Sequence, residues 1–179
     1  YFAKGELARQ KEKDDKKAME MYMKAIHITL PDFDGKNPLR NNLLTFDEIM
    51  IINAIAILHA KADDIMTAVQ LGMWLKKYME EKIVDGTMKI AKYPMILYNL
   101  SNWLGRENCH KEALKMADLG IRFCIRYGNL AFFPILVFNK GGALAELGKI
   151  DQAKKYLHQS VTIFEAMDRP DLIQVATDW

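Results

Sequence analysis

The sequence predicts an all-α chain assembled from repeated helix–turn–helix units. Three observations lead there. Apolar residues recur at three- and four-residue steps almost throughout, and the alternation of a half-buried strand is absent. Only five prolines and ten glycines interrupt the 179 residues, most of them between periodic segments. A paired-helix pattern also returns at a fixed spacing, with Asn99 to Asn139 and Ala113 to Ala153 each 40 residues apart.

Eight helices and the start of a ninth are expected, over 1–12, 15–30, 45–61, 64–83, 88–105, 110–127, 131–147, 151–167 and from 169 onward. The run Lys11-Glu12-Lys13-Asp14-Asp15-Lys16-Lys17 alternates in sign and reads as a solvated turn rather than a nucleic-acid patch. Pro31, Asp32, Asp34, Gly35 and Pro38 make a polar connection of about 14 residues after the second helix, the longest in the chain and so a candidate for mobility or function. Thr45, with Glu48 three residues on, has the spacing of a capping box. Asp85-Gly86 is expected to end the fourth helix and Gly128-Asn129 the sixth, because glycine accepts the left-handed conformation just past a helix. Gly148-Lys149-Ile150-Asp151 turns the seventh helix into the eighth, and Pro170 suits the first turn of the last.

Composition narrows the function. Lys and Arg total 25 against 23 for Asp and Glu, a net charge of +2, with no basic footprint for nucleic acid. The longest apolar run, Ile49 to Leu58, contains Asn53 and falls short of the about 18 residues of a membrane span. Cys109 and Cys124 both sit in helical patterns without a leader sequence, which fits a reduced, cytoplasmic setting. His27, His59, His110 and His158 lack metal-ligand spacing, and no phosphate loop, nucleophile elbow or acid pair is present. The expectation is no enzyme, no metal and no cofactor. Eleven methionines, Met19, Met21, Met23, Met50, Met66, Met73 and Met79 among them, mostly lie at helical spacing and read as core or as an adaptable surface. The chain opens inside a helical pattern at Tyr1 and closes at Trp179 without a stop signal, so a piece of a longer protein is expected. Its last helix would leave Leu172, Ile173 and Trp179 uncovered, which suits a homodimer or simply reflects truncation.

The repeat is legible at residue level. One unit reads Tyr98-Asn99-Leu100-Ser101 followed by Lys111-Glu112-Ala113-Leu114, and the next reads Phe138-Asn139-Lys140-Gly141 followed by Asp151-Gln152-Ala153-Lys154. The Asn-to-Ala step is 14 in both. An earlier unit has Asn53 and Ala68, a step of 15, with Leu75 where a second small residue is expected. The first pair carries Ala18, Tyr22 and Ala25 before Pro31. Repeats are therefore expected over about 1–31, 45–84, 88–128 and 131–168, with another helix from 169. Small residues let paired helices cross closely, and one pair cannot bury its apolar face alone, so pairs stack.

This arrangement resembles the tetratricopeptide (TPR) repeat, with Ala18/Tyr22/Ala25, Gly141/Gly148/Ala153/Leu157/Ser160 and Ser101/Ala113/Ala117/Gly120 at the family's positions. The resemblance implies a right-handed superhelical solenoid of about four helix–turn–helix repeats, acting by binding another polypeptide. The long repeat and its degeneracy are similar to the peptide-sensing transcriptional regulators of Gram-positive bacteria of the Rgg/PlcR type. That resemblance implies a short signalling peptide as partner, and DNA only through an N-terminal domain absent from this chain.

The TPR resemblance further implies that the first helix of each pair lines a groove, with an Asn gripping the peptide backbone. Asn53, Asn99 and Asn139 are the candidates, since an amide side chain both donates and accepts. The alternative is that they tie neighbouring helices together. Groove positions by helical spacing are Ile49, Ile52, Ala56 and His59, then Met95, Tyr98, Asn102 and Arg106, then Ile135, Phe138, Gly142 and Glu146. Tyr98 and Phe138 make aromatic walls or pack against the next unit. Arg106 anchors a carboxylate or is a solvated charge near a turn. Two functions stay open: a peptide sensor in an intracellular regulator, and a scaffold that docks a protein with no DNA-binding partner domain.

Overall fold

The structure, a computed structural model, describes residues 1–37, 43–83 and 86–177, the last three by backbone alone. The described residues are helical and contain no strand. They form α1 (Phe2–Leu7, running on as a wider π-helical turn to Glu12), α2 (Asp15–Ile26), α3 (Phe46–Lys61), α4 (Ile65–Glu81), α5 (Gly86–Arg106), α6 (His110–Tyr127), α7 (Phe133–Glu146), α8 (Ile150–Ala166) and α9 (Pro170–Thr177). The chain divides into two compact units, Tyr1–Lys82 and Ile83–Trp179.

Three helix pairs close on the same turn. Asp63, Asn108 and Gly148 take the left-handed conformation, at φ 65, 58 and 72°. The N–H of the following residue then reaches back to a helix carbonyl: Asp64 to His59 at 2.9 Å, Cys109 to Leu104 at 2.8 Å and Lys149 to Leu144 at 2.9 Å. These bonds satisfy carbonyls that each helix end would otherwise leave orphaned. The sequence makes only one of the three turns obvious, through Gly148. Asp63 and Asn108 do the same work because a short polar side chain tolerates this region.

In the first unit α1 packs on α2, with Glu6 and Arg9 clustered on the Tyr22 hydroxyl. A Cβ on Gly5 would stand 2.6 Å from the Tyr22 ring, so glycine is what permits this approach. Burial first, and then the Glu6 carboxylate, pushes the Tyr22 phenol up to about 12. The charged run between α1 and α2 is a capped turn, in which Asp14 accepts from the Lys17 N–H at 2.9 Å. Thr45 and Glu48 form the expected capping box on α3. That helix is buried nearly all round, Ile49, Ile52 and Ile55 completely.

Two expectations need correction here. α2 ends at Ile26 rather than at 30, because Pro31 disfavours helical backbone at Leu30. The connection that follows is also not simply polar. Leu30 and Phe33 are buried, and the Phe33 ring stands 6.4 Å from Trp74. His27 Nε2 meets the Phe33 carbonyl at 2.8 Å, and His59 Nε2 meets the Gly35 carbonyl at 2.9 Å. Its Pro38 lies outside the described residues, as does Asp85 of the expected stop after α4. Gly86 begins α5 instead of ending α4.

The second unit alternates α5, α6, α7 and α8, each packed on the next. Two glycines set the close crossings. A Cβ on Gly120 would meet Leu136 at 2.8 Å, and one on Gly141 would meet Leu157 at 2.8 Å. Gly128 ends α6 at φ 70° as expected, and Pro170 opens α9. Cys109 proves to be the exposed residue before α6 rather than part of a helix, whereas Cys124 is buried; both thiols are free. Pro94 lies inside α5 and has no N–H to give the Ile90 carbonyl. The Asn129 side-chain amide supplies that bond from the α6–α7 connection, at 2.7 Å.

Candidate functional site

Within the second unit a cavity of about 480 Å³ opens between the C-terminal half of α5, the start of α6 and α7. Ser101, Asn102, Gly105, Arg106 and Asn108 line it from α5 and its turn. His110 and Ala113 come from α6, and Phe138, Asn139, Gly142, Ala143 and Glu146 from α7. Its size falls in the range of about 300–1,000 Å³ typical of ligand pockets. The lining joins apolar surface to a few polar groups.

The turn geometry explains why these residues meet. Counting back from the left-handed residues Asn108 and Gly148, Arg106 and Glu146 are equivalent, Asn102 is equivalent to Gly142, and Asn99 to Asn139. The same helix face of two consecutive repeats thus contributes opposite charges and two amides. Glu146 Oε2 stands 3.9 Å from His110 Nε2, too long for a hydrogen bond but within ion-pair range, and both residues line the cavity. Lys140 holds α7 in place. It bonds Asp118 of α6 at 2.6 Å and lies 4.1 Å from the centre of the Tyr156 ring of α8. Burial alone would lower the Lys140 pKa, but Asp118 and Tyr156 outweigh it and the net shift is upward.

The three asparagines have different environments. Asn53 and Asn99 are 3% and 7% exposed. Asn139 donates from Nδ2 to Ser101 Oγ at 2.7 Å and to the Tyr98 carbonyl at 3.3 Å, tying α7 to α5. Asn139 also belongs to the cavity lining. Asn53 is also out of phase. It lies ten residues before Asp63, where Tyr98 and Phe138 stand ten before Asn108 and Gly148, so the true counterpart of Asn99 and Asn139 is Ala54. One residue is about 100° around a helix.

Of the other expected groove residues, Asn102, Arg106, Phe138, Gly142 and Glu146 line the cavity. Tyr98 does not; its ring stacks on Phe132 with centroids 6.0 Å apart, and burial raises its pKa. Ile135 is half-buried outside the lining. His59 belongs to the first unit, where Nδ1 meets Asp64 at 3.1 Å and Nε2 meets the Gly35 carbonyl. Ile49, Ile52 and Ala56 are fully buried core. Sequence reasoning missed Ser101, Gly105, Asn108, His110, Ala113 and Ala143. A helical-face count stops at the helix end, and the left-handed turn at Asn108 is what carries His110 and Ala113 round to the same cavity.

Among the described residues no three His, Cys, Asp or Glu side chains converge as metal ligands, and no helix is long and apolar enough to cross a membrane. Residues 136–166, most of α7 and all of α8, match the family model described as tetratricopeptide repeat. The fold is of the tetratricopeptide type. Consistent with that, the chain superimposes on a crystal structure of Bacillus thuringiensis PlcR in complex with the peptide PapR7 and DNA, with a TM-score of 0.80 at 15% identity. The match covers 98% of this chain and 58% of that one, so the chain spans little more than half the length of that neighbour. No curated protein matches the sequence.

Proposed function

We propose that the second unit binds a short peptide, or an extended segment of a protein, in the cavity between α5 and α7. The observation that carries this reading is the convergence of Asn102, Arg106, Phe138, Asn139 and Glu146 on one open cavity whose lining mixes apolar and polar groups. Amides grip a peptide backbone, a guanidinium takes a carboxylate, and the ring receives a side chain. The likeness in fold to a structure in complex with a peptide supports it.

At finer grain, the chain is the ligand-sensing part of an intracellular bacterial transcriptional regulator, with DNA contacted through a separate N-terminal domain. The fold of the neighbour, described in complex with peptide and DNA, supports that assignment. Small rotations add along stacked repeats, so a ligand seated between two of them can move what is attached. A scaffold that docks a protein without any DNA-binding domain is the competing role, and a helix-turn-helix ahead of Tyr1 in the full-length sequence separates the two.

Titration calorimetry with a set of free-acid hexapeptides tests the binding reading. Micromolar binding that falls at least about tenfold in Arg106→Ala with Asn102→Ala is expected, a loss of roughly 1.4 kcal/mol. Absence of binding to the wild-type protein overturns it.

A further inference from the structure

Three glycines of the second unit's helices make an informative contrast. Gly120 and Gly141 are demanded by packing, since a Cβ on either would stand 2.8 Å from a leucine side chain. Gly105 has no such reason. A Cβ there would meet nothing within 4 Å, and its φ is not left-handed, that task falling to Asn108. The repeat itself does not require glycine either. Counted back from the left-handed residues, the equivalents of Gly105 are Ala60 in the α3–α4 pair and Ala145 in the α7–α8 pair. Glycine is the poorest helix former after proline in a helix interior, and at the next-to-last residue of α5 neither packing nor turn geometry calls for it. What Gly105 does have is a place on the cavity wall.

We propose that Gly105 is the size-selecting residue of the cavity, leaving space for one apolar side chain of a bound peptide to lie over the α5 backbone. This rests on the peptide-binding reading above. Phe138 and Ala113 supply apolar surface to the same space, and Asn102 and Arg106, on neighbouring turns of α5, hold the peptide's polar groups beside it. Alanine at 105 narrows the seat by one methyl group. Leucine takes up more of it, from a Cβ position that meets no neighbouring atom within 4 Å.

The test uses the wild type, Gly105→Ala and Gly105→Leu, and a positional set of fluorescein-labelled hexapeptides in which each position is Gly, Ala, Val, Leu or Phe. Gly105→Ala should raise the melting temperature by on the order of 2 °C. It should also shift the preference at one peptide position toward smaller side chains. Gly105→Leu should keep the wild-type melting temperature or exceed it, and should weaken the best hexapeptide at least about tenfold. Unchanged affinity and preference in both variants, with the wild type still binding, overturns the size-selecting role alone. A fall in melting temperature in Gly105→Ala also overturns it, because the glycine is then structural. A wild-type protein that binds no hexapeptide overturns the binding reading, and this proposal with it.

Discussion

The Asn129 side-chain amide donates to the Ile90 carbonyl at 2.7 Å, closing the gap that Pro94 opens in α5. A proline inside a helix strips the carbonyl four residues earlier of its partner, and a partly buried carbonyl without one is costly. Asn129→Ala should therefore destabilise the protein by about 1–3 kcal/mol. In a Pro94→Ala background, the new N–H of residue 94 serves Ile90, and the same substitution should cost less. A double-mutant cycle from urea denaturation measures the difference; additivity of the two changes would mean that the bond carries no weight.

Asn102 separates binding from folding. It is exposed, lines the cavity and makes no side-chain hydrogen bond among the described residues. Asn102→Ala should stay within about 0.5 kcal/mol of the wild type in stability. Hexapeptide affinity, read by fluorescence polarisation, should fall by roughly fivefold, the worth of about one net hydrogen bond.

Gly141 should tolerate no side chain. A Cβ would stand 2.8 Å from Leu157 Cγ and 3.1 Å from its backbone nitrogen, so the α7–α8 pair would have to separate. Gly141→Ala should cost about 1–3 kcal/mol despite alanine's better helix propensity. An unchanged denaturation midpoint would contradict the close crossing.

The Asp34 carboxylate accepts from the Asn37 N–H at 2.7 Å, the Asn37 side chain at 2.7 Å and the Lys36 N–H at 2.8 Å. These bonds hold its pKa down from 3.8 to about 2. The folded value is depressed, so the stabilisation is complete above the unfolded pKa and is lost as pH falls toward 2. The melting-temperature gap between wild type and Asp34→Ala should thus be constant near neutrality, shrink below about pH 4 and approach its minimum near pH 2. A gap independent of pH would exclude the carboxylate as its source.

Thiol chemistry should distinguish the two cysteines. Cys109 is exposed, while Cys124 is fully buried, and burial pushes its thiol up to about 11. A thiol reagent at pH 8 should modify one group per chain promptly and the second only as the chain opens, because the thiolate is the reactive form. Cys109→Ser should abolish the fast phase.

What the sequence determined by itself is the helical repeat. The spacing of apolar residues, the capping box at Thr45–Glu48, the stop at Gly128 and the start at Pro170 act over a few neighbouring residues, so they can be read without knowing what lies across the core. Small residues such as Gly141 and Ala153 announce close crossings for the same local reason. The tertiary structure alone decided where polar side chains are used. Asn99 and Asn139 are equivalent in the repeat, yet one is buried and the other bridges α5 and α7 beside a cavity. Asn129 reads as a helix stop and serves a carbonyl 39 residues away. Phe33 sits in a stretch rich in turn residues and is core. An amide or a ring is indifferent to its own sequence neighbourhood; its role is set by which orphaned group, or which empty space, the packing of other helices brings within reach.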